Sequence, residues 1–407
     1  MSKQLRILYA AGPGDVIGTY KYWIKAQDDP SQVAITYSSQ FYNACRNLDA
    51  KAYVISLWEK KKFLRDGQFI LEHRPNPLSR ASGLLYHVGQ VWYGLRLVAT
   101  AIAWRADVAV VAEGTTHWFV LSLLTWLGVK AIPTIHCTLW CKFLPQRRVE
   151  KLILGLNRNF FAKDCTAILG IGNEVAKQVA QLTSGQHQPI VEFIPTYSTK
   201  EFVGVGEPDE KRSPFRVLFA GRIERNKGVF DLLQIAKRFQ EMGREDITFD
   251  ICGTGSALES WRQEAKLAGV ESFFTYHGYY NKPKMQEMYK TCHVVIVPTR
   301  TDFVEGFNKV LAEGVLAGRP VVTSAVCPGI SYVGDAIVEV PPNDTKAYGD
   351  ALLELCDNRQ FYEQKRQNCL AWQAQFYDSS YSWGAAFRSV IMTINQENNL
   401  KAKLDFL

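Results

Sequence analysis

The stretch HVVIVPTRTDFVEGFNKVLAEGVLAGRPVVTS, residues 293–324, decides the fold of this chain. Two short apolar runs, 293–299 and 319–324, have the length and the β-branched content of buried strands, and the residues between them suit a loop followed by a helix. Strands that alternate with helices predict a parallel sheet covered on both faces. Ligands of such sheets bind beyond the carboxyl ends of the strands. The loop that contains Glu305 is therefore a candidate ligand site.

Two carboxylates, Glu305 and Glu313, lie at the ends of EGFNKVLAE. Eight residues at about 100° each leave them ~80° apart around an ideal helix axis and about two turns apart along it. We expect the helix to begin near Gly306 or Phe307, so that its first N–H groups form an anion site. These donors belong to Phe307, Asn308, Lys309 and Val310. A sugar nucleotide, with hydroxyls at both ends and phosphates in the middle, fits this spacing.

The same alternation of strands and helices runs through the whole chain. The first half predicts strands over 6–11, 52–57, 108–113, 131–136 and 167–172, with helices over 38–50 and 84–106. After a polar linker, 198–214, the second half predicts strands over 215–221, 247–253, 274–278, 293–299, 319–324 and 336–340, with helices over 229–242 and 345–358. Because 407 residues exceed one ordinary core, we expect two doubly wound α/β domains and a ligand in the cleft between them.

The charge is concentrated in the first half. Residues 1–200 carry 23 Lys and Arg against 13 Asp and Glu, whereas residues 201–407 carry 24 against 27. This imbalance predicts an anionic partner, either a membrane surface or an acidic acceptor. The segment 146–163 has the pattern of a basic amphipathic helix, which suits a membrane surface and a core-facing helix equally. We expect no nucleic acid partner.

The cysteines and the apolar segments bear on the compartment. Nine cysteines are scattered without a CxxC pair, which favours a reducing cytosol. The start resembles no signal peptide, and neither 94–104 nor 118–129 reaches the ~20 apolar residues of a membrane span. His136, Cys137 and Cys141 lie close in sequence, but no second ligand cluster completes a metal site, so we expect no metal. The sequence thus predicts a cytoplasmic protein, membrane-associated on the cytoplasmic face if the basic half binds lipid.

Three further loops of the second half carry phosphate- or sugar-binding residue types. The loop 221–228 places Gly221, Arg222 and Lys227 just before a helix, where cations and the helix start both favour phosphate. The loop 252–256 offers Gly253 and Gly255 for close approach of a ligand. The strand that ends in His277 and Gly278 is followed by Tyr279 and Tyr280, a wall suited to a nucleobase.

The ordered set FAGRIERNKGVFDLL, FDICGTGS, YHGYY and VVIVPTRTDFVEGFNKVLAEGVLAGRPVVTS resembles the retaining glycosyltransferases of family 4, which have the GT-B fold. The likeness covers nearly the whole second half and extends to YSW, 381–383, where the family has a helix crossing back to the first domain. It implies a first, acceptor-binding domain of 1–197 plus about 378–407. It also implies a second, donor-binding domain of 198–377.

The resemblance assigns roles to individual residues. Glu313 resembles the glutamate that binds the ribose hydroxyls, and Glu305 the one that holds hydroxyls of the donor sugar. Arg222 and Lys227 resemble the pair that neutralises the diphosphate leaving group, and the backbone near Tyr279 resembles the base-binding strand end. His136 resembles the active-site histidine near the donor sugar, although a core histidine is the alternative. The implied reaction is metal-independent and needs no cofactor, with a UDP- or GDP-sugar as donor.

The first half departs from the family pattern. Residues between the first strand and the helix predicted at Ser38 resemble an insertion; Gly12 and Gly14 are candidates to approach the phosphates, and Asp15 and Thr19 to touch the acceptor. GPGDVIG, 12–18, also allows a dinucleotide-binding oxidoreductase, but no acid ends the second predicted strand at Leu57. A sugar-nucleotide epimerase of similar architecture and a non-catalytic sugar-nucleotide-binding protein also fit this set of motifs.

Overall fold

The computed structural model describes residues 4–78, 81–112, 115–208 and 213–404, with side chains up to 396. Parts of three predictions therefore lie outside the described residues: Glu113 of the strand 108–113, residues 209–212 of the linker, and residues 405–407 at the end. Within these ranges the chain forms two sheets, one in each half, with helices on both faces. The prediction of two doubly wound α/β domains is confirmed.

The first domain is built on the sheet β3-β4-β2-β1-β5-β6-β7-β8, in which β3 alone pairs antiparallel. Its strands are β1 (Arg6–Ala10), β2 (Lys51–Ser56), β3 (Lys62–Asp66), β4 (Phe69–His73), β5 (Val108–Val111), β6 (Lys130–Ile135), β7 (Ile168–Ile171) and β8 (Ile190–Phe193). Its helices are α1 (Val16–Trp23), α2 (Tyr37–Asn47), α3 (Gly83–Ala103), α4 (Ser122–Trp126), α5 (Arg148–Asn159) and α6 (Gly172–Thr183).

The second domain is built on the parallel sheet β11-β10-β9-β12-β13-β14. Its strands are β9 (Phe215–Ala220), β10 (Ile247–Cys252), β11 (Phe274–Gly278), β12 (Val294–Val297), β13 (Val321–Ser324) and β14 (Ile337–Val340). The helices of this half are α7 (Asp231–Glu241), α8 (Leu258–Ala268), α9 (Lys282–Thr291), α10 (Lys309–Leu316), α11 (Thr345–Asp357), α12 (Arg359–Trp372), α13 (Ala374–Tyr377) and α14 (Trp383–Leu404). Every residue of β12 and β13 is buried, as their continuous apolar runs predict.

The last helix, α14, returns to the first domain and packs on α2 and on β8. Trp383 at its start is fully buried, and its Nε1 donates to Thr134 Oγ1 of β6 at 2.9 Å. The backbone N–H of Gly384 donates to Gln40 Oε1 of α2 at 2.7 Å. The chain thus crosses between the domains twice, once through the linker after β8 and once through α14.

The structure adds detail to the predictions for the first domain. The segment between β1 and Ser38, which was predicted to be an insertion, contains the helix α1, which packs against α2 and β4. Helix α2 is capped by Thr36, which accepts from the N–H of Ser39 at 3.1 Å, and so begins before Ser38. The edge strand β3 carries Lys62 and Arg65, and charged residues are common on edge strands because they discourage pairing with other chains.

Candidate functional site

The carboxyl ends of the two sheets meet at a short bridge between the domains. Cys137, just after β6, pairs antiparallel with Gly306, just before α10. The N–H and hydroxyl of Thr138 both donate to the carbonyl of Glu305, at 3.2 and 3.1 Å. A Cβ at Gly306 would lie 2.1 Å from the carbonyl oxygen of His136, so only glycine fits this crossing. Two candidates from different halves, His136 and Glu305, are therefore brought together.

The carboxylate of Glu305 is buried and fully engaged. Its Oε2 accepts from Lys227 Nζ at 2.7 Å, from Asn308 Nδ2 at 3.0 Å and from Thr299 Oγ1 at 3.1 Å. Its Oε1 accepts from the backbone N–H of Gly306 at 3.1 Å. The side chain is 8% exposed and that of Lys227 is 14% exposed, so this ion pair is shielded from water. Glu305 is therefore no solvated surface charge.

A cavity of ≈170 Å³ lies beside this ion pair. The loop after β9 contributes Lys227, and the loop after β12 contributes Thr299 and Glu305. The start of α10 contributes Asn308, Lys309 and Val310. The lining thus combines two lysines, one carboxylate and a helix start, a set that suits a polar anionic ligand.

The two cations predicted in the loop 221–228 differ in their surroundings. Lys227 lies over the ring of Phe303, 3.8 Å from its centroid, and faces the cavity. The side chain of Arg222 is 57% exposed, contacts Glu224 at 3.3 Å and lies 5.4 Å from the same ring. Arg222 therefore stands at the solvent edge of the site, whereas Lys227 is inside it.

Helix α10 begins later than predicted. Its first residue is Lys309, and Asn308 precedes it with a φ of 61°. Glu305 consequently lies in the loop, so the helical angle between Glu305 and Glu313 does not apply. The side chain of Phe307 is 2% exposed and packs against Tyr332 and Phe376, in the core rather than the cavity. The first residues of α10, Lys309 and Val310, still line the cavity, and the first N–H groups of a helix have no partner within it.

Two tyrosines that the sequence did not reveal hydrogen-bond to the carboxylate of Glu313, a residue of α10. Tyr289 donates to Oε2 at 2.7 Å, and Tyr197 donates to Oε1 at 3.4 Å. Burial raises the pKa of Glu313 to about 7, although both hydroxyls and the charge of Lys309 act in the opposite direction. Tyr197 and Tyr289 are more than twenty residues from Glu313, so no local pattern could have identified them.

His136 lies in a pocket of aromatic rings. Its ring centroid is 4.5 Å from that of Tyr37 and 5.3 Å from that of Phe193, and its Nε2 is 3.1 Å from Thr134 Oγ1. Burial, helped by the nearby charge of Lys309, lowers the pKa of His136 to about 3. Its Nδ1 is buried without a hydrogen-bond partner among the described residues. His136 is thus a neutral imidazole with one nitrogen unused.

The glycines of the donor-side loops have mainly a packing role. A Cβ at Gly253 would lie 1.8 Å from the carbonyl oxygen of Gly221, and one at Gly255 would lie 2.3 Å from that of Ile223. A Cβ at Gly228 would lie 2.0 Å from the carbonyl oxygen of Pro298. These contacts give Gly253 and Gly255 a packing reason, and the close approach of a ligand to them stays a prediction.

The segment around His277 is fixed by contacts within and between domains. His277 Nε2 is 2.7 Å from Asp250 Oδ1, and its Nδ1 is 3.2 Å from the hydroxyl of Tyr280. The carbonyl of Gly278 accepts from the N–H of Gly253 at 2.8 Å. Tyr279 is 61% exposed, and its hydroxyl donates to the carbonyl of Ser31 in the first domain at 2.8 Å. Its ring is thus available at the edge of the cleft.

The candidates of the first domain have local partners. Asp15 caps α1 by accepting from the N–H of Gly18 at 2.7 Å, and its Oδ1 is 3.1 Å from His73 Nε2. The hydroxyl of Thr19 donates to Asp29 at 2.5 Å. Gly12 has a φ of 74° in the turn after β1, and a Cβ at Gly14 would meet nothing within 4 Å. Asp15 and Thr19 therefore serve the local fold, and their contact with the acceptor stays a prediction.

Comparison with known proteins agrees with this architecture. Residues 214–358 match the family model described as glycosyl transferases group 1. The chain is 25% identical over 230 residues to the O-antigen chain mannosyltransferase C of Escherichia coli, an alignment that covers 53% of this chain and 57% of that protein. The chain thus spans little more than half the length of this relative.

Solved structures are similar over the whole chain. That of Anabaena Alr3699/HepE in complex with UDP aligns with a TM-score of 0.63 at 14% identity and covers 100% of both chains. That of α,α-trehalose 6-phosphate synthase from Burkholderia multivorans aligns with a TM-score of 0.72 at 11% identity and covers 99% of this chain and 98% of that chain. The chain therefore has the GT-B fold, and its second domain matches the model of the group 1 glycosyl transferases.

Proposed function

We propose that the protein is a retaining glycosyltransferase that moves a sugar from a UDP- or GDP-sugar to a hydroxyl acceptor. The observation that carries this proposal is the cavity at the carboxyl edge of the second sheet, where Lys227, Glu305 and the start of α10 converge. The match of residues 214–358 to glycosyl transferases and the UDP bound in the similar Anabaena structure support a nucleotide-sugar donor.

The charges suit the developing leaving group. As the bond between the sugar carbon and the phosphate oxygen breaks, its electron pair stays on the diphosphate, where Lys227, Lys309 and the α10 start stabilise it. Arg222, at the solvent edge, can swing onto the same phosphates. The acceptor oxygen bonds to the sugar carbon, and its proton passes to the leaving phosphate oxygen on the same face. No covalent nucleophile and no metal are needed in this scheme.

Glu305 and His136 would orient the donor sugar. Oε2 of Glu305 accepts from three protein donors, whereas among the described residues Oε1 accepts only from the N–H of Gly306. A sugar hydroxyl can therefore bond to Oε1, or to Oε2 once a phosphate draws Lys227 away. The unused Nδ1 of the neutral His136 can bond a sugar hydroxyl without adding charge beside the oxocarbenium-like sugar. Glu313 is a weaker candidate for the ribose because two tyrosines hold it.

The reaction is tested with a panel of UDP-, GDP- and ADP-sugars, first by thermal shift and then by release of the nucleoside diphosphate in the presence of EDTA. The proposal is supported if sugar nucleotides of one nucleobase stabilise the protein and if Glu305→Ala abolishes their turnover. Binding without turnover favours a non-catalytic sugar-nucleotide-binding protein, and a changed sugar on the same nucleotide favours an epimerase. The anomeric configuration of the product, read by NMR, decides retention.

We further propose that the protein is cytoplasmic and docks on an anionic membrane through α3 and α5. Both helices expose apolar side chains at helical spacing: Leu84, Leu85, Val88, Trp92, Leu95 and Ile102 on α3, and Val149, Leu152 and Leu156 on α5. The segment 142–163 around α5 carries six Lys and Arg against one Glu. Apolar anchors flanked by cations suit an anionic lipid surface, and a lipid-linked acceptor would lie in such a surface. Among the described helices, none is long and apolar enough to cross a bilayer.

Membrane docking is tested by co-sedimentation with vesicles of phosphatidylglycerol and of phosphatidylcholine. Leu152, 62% exposed, is changed to Glu, and Val203, 82% exposed and outside α3 and α5, is changed to Glu as the matched control. We expect Leu152→Glu alone to lose binding to the anionic vesicles. Equal binding by both variants would contradict this surface.

A further inference from the structure

A short segment of the first domain, residues 28–32, lies across the cleft and is called the strap below. Asp28 Oδ2 is 2.6 Å from Lys200 Nζ of the linker, and the carbonyl of Pro30 accepts from the N–H of Lys282 at 2.9 Å. The carbonyl of Ser31 accepts from the hydroxyl of Tyr279 at 2.8 Å, and Gln32 Oε1 accepts from Lys309 Nζ. The strap thus contacts the linker through Asp28 and the second domain through Pro30, Ser31 and Gln32.

The strap is a built element of the first domain. Asp29 accepts from the hydroxyl of Thr19 at 2.5 Å and from the N–H of Ser31 at 2.9 Å, which fixes the turn. Val33 and Ala34, directly after it, are 4% and 2% exposed. The first domain therefore holds the strap in place, and its contacts with the second domain depend on how the domains sit together.

Two of the strap's partners are candidates for donor binding. Tyr279 follows the strand end suited to a base, and Lys309 lines the cavity. Lys309 is half-buried, with its Nζ on the neutral amide of Gln32 and 5.0 Å from the centroid of Tyr37. The described residues place no carboxylate in ion-pair contact with this nitrogen. Lys309 is thus a half-buried cation whose direct hydrogen-bond partner is a neutral amide, and an anionic oxygen in its place would form a stronger, charge-assisted contact.

The cavity is too small for the proposed donor. Its volume is ≈170 Å³, whereas sites for drug-sized ligands span about 300–1,000 Å³. The cavity by itself therefore accommodates only part of a nucleotide sugar, and the rest of the ligand must lie beyond it. The strap is the first-domain segment that touches both the base-side residue Tyr279 and the cavity residue Lys309, so its displacement opens both ends together.

We propose that the strap closes the donor site and competes with the donor. In this inference, which rests on the proposed function, a phosphate oxygen replaces Gln32 on Lys309, and the nucleoside displaces the contact between Ser31 and Tyr279. A ligand that must displace such a contact binds with an apparent affinity reduced by the fraction of closed molecules. Weakening the strap should then tighten donor binding, whereas a strap that completes the site would have the opposite effect.

Three variants separate these outcomes. Gln32→Ala removes the oxygen that holds Lys309, and Gln32→Glu replaces it with a carboxylate that binds the lysine more strongly. Gln27→Ala removes the same side chain from an exposed position before the strap and serves as the matched control. Thermal unfolding of each variant checks that the fold is retained.

The measurement is the dissociation constant of UDP, GDP and ADP by calorimetry. For the nucleotide that binds the wild type, we expect Gln32→Ala to bind about tenfold tighter and Gln32→Glu about tenfold weaker, the size of one hydrogen bond to a charged group. Gln27→Ala should match the wild type. Unchanged or weaker binding by Gln32→Ala would overturn the strap proposal and leave the proposed function standing. A wild type that binds none of the three would overturn both.

Discussion

Replacing Glu305 with Gln tests the ion pair at the centre of the site. The carboxylate Oε2 accepts three hydrogen bonds, from Lys227, Thr299 and Asn308. The amide of glutamine has one acceptor oxygen and two N–H donors. In either orientation of the amide, its N–H groups therefore face protein groups that are also donors. Removing one partner of a buried pair costs about 3–5 kcal/mol. Because the isosteric amide retains part of the network, we expect the lower end, about 3 kcal/mol of unfolding free energy.

The loss of stability is measured by thermal unfolding. For a domain of this size, 1 kcal/mol corresponds to about 2–4 °C, so the Glu305→Gln unfolding temperature should fall by roughly 6–12 °C. The unfolding temperature of Lys227→Met should fall by a similar amount. That of the double variant should fall by less than the sum of the two single decreases, because each change removes the same interaction. Glu224→Gln, which disturbs the exposed pair with Arg222, is the control and should shift little.

The same variant is assayed for transfer. If Glu305 holds the donor sugar in the transition state, removing its charge should lower kcat/KM at least 100-fold, equivalent to about 2.7 kcal/mol. Single variants with wild-type stability and additive effects in the double variant would refute the buried ion pair. Wild-type turnover by Glu305→Gln would refute its role in the reaction.

The other predictions concern titration and backbone space. Burial raises the pKa of Glu313 to about 7 from its ordinary 4.5, so the wild type is more stable at low pH and loses this stability as the pH rises through 7. In chemical denaturation, Glu313→Gln should therefore gain stability relative to the wild type between about pH 5 and pH 8. A stability difference that stays constant over this range would contradict the prediction. Because the pKa of His136 is lowered to about 3, its NMR signals should not titrate between about pH 5 and pH 8, and a midpoint near the ordinary 6.5 would show an exposed ring. Gly253→Ala should destabilise the second domain strongly, since its Cβ would lie 1.8 Å from a carbonyl oxygen, whereas Gly14→Ala should leave the unfolding temperature unchanged.

Most strands of both domains were predictable because their apolar runs lie between turn residues. The β3–β4 hairpin was missed although Gly67, with a φ of 53°, begins a two-residue turn between Asp66 and Phe69. Strands β3 and β8 have few buried apolar residues, so their sequences give a weak strand signal. The late start of α10 was not predictable, because Asn308 adopts a positive φ that a sequence pattern does not reveal.

Site residues were predictable where they lie in a single segment of the chain. Contacts between segments that are distant in the sequence were not. Glu305 and Lys227 lie in loops at strand ends, so residue type and position were enough to select them. The tyrosines that hold Glu313 and the strap residue Gln32 come from other parts of the chain, and only the packing of the two domains brings them together. Asp15 and Thr19 were chosen for their polar groups alone, and the structure gives those groups local partners.

The central claim is that a nucleoside diphosphate binds at Lys227 between the domains. Calorimetric titration of wild type and Lys227→Met with UDP and GDP tests it directly. The account predicts one site per chain for one of these nucleotides and at least a tenfold weaker affinity in Lys227→Met. Equal affinity in the two proteins, or no binding of either nucleotide to the wild type, would contradict it.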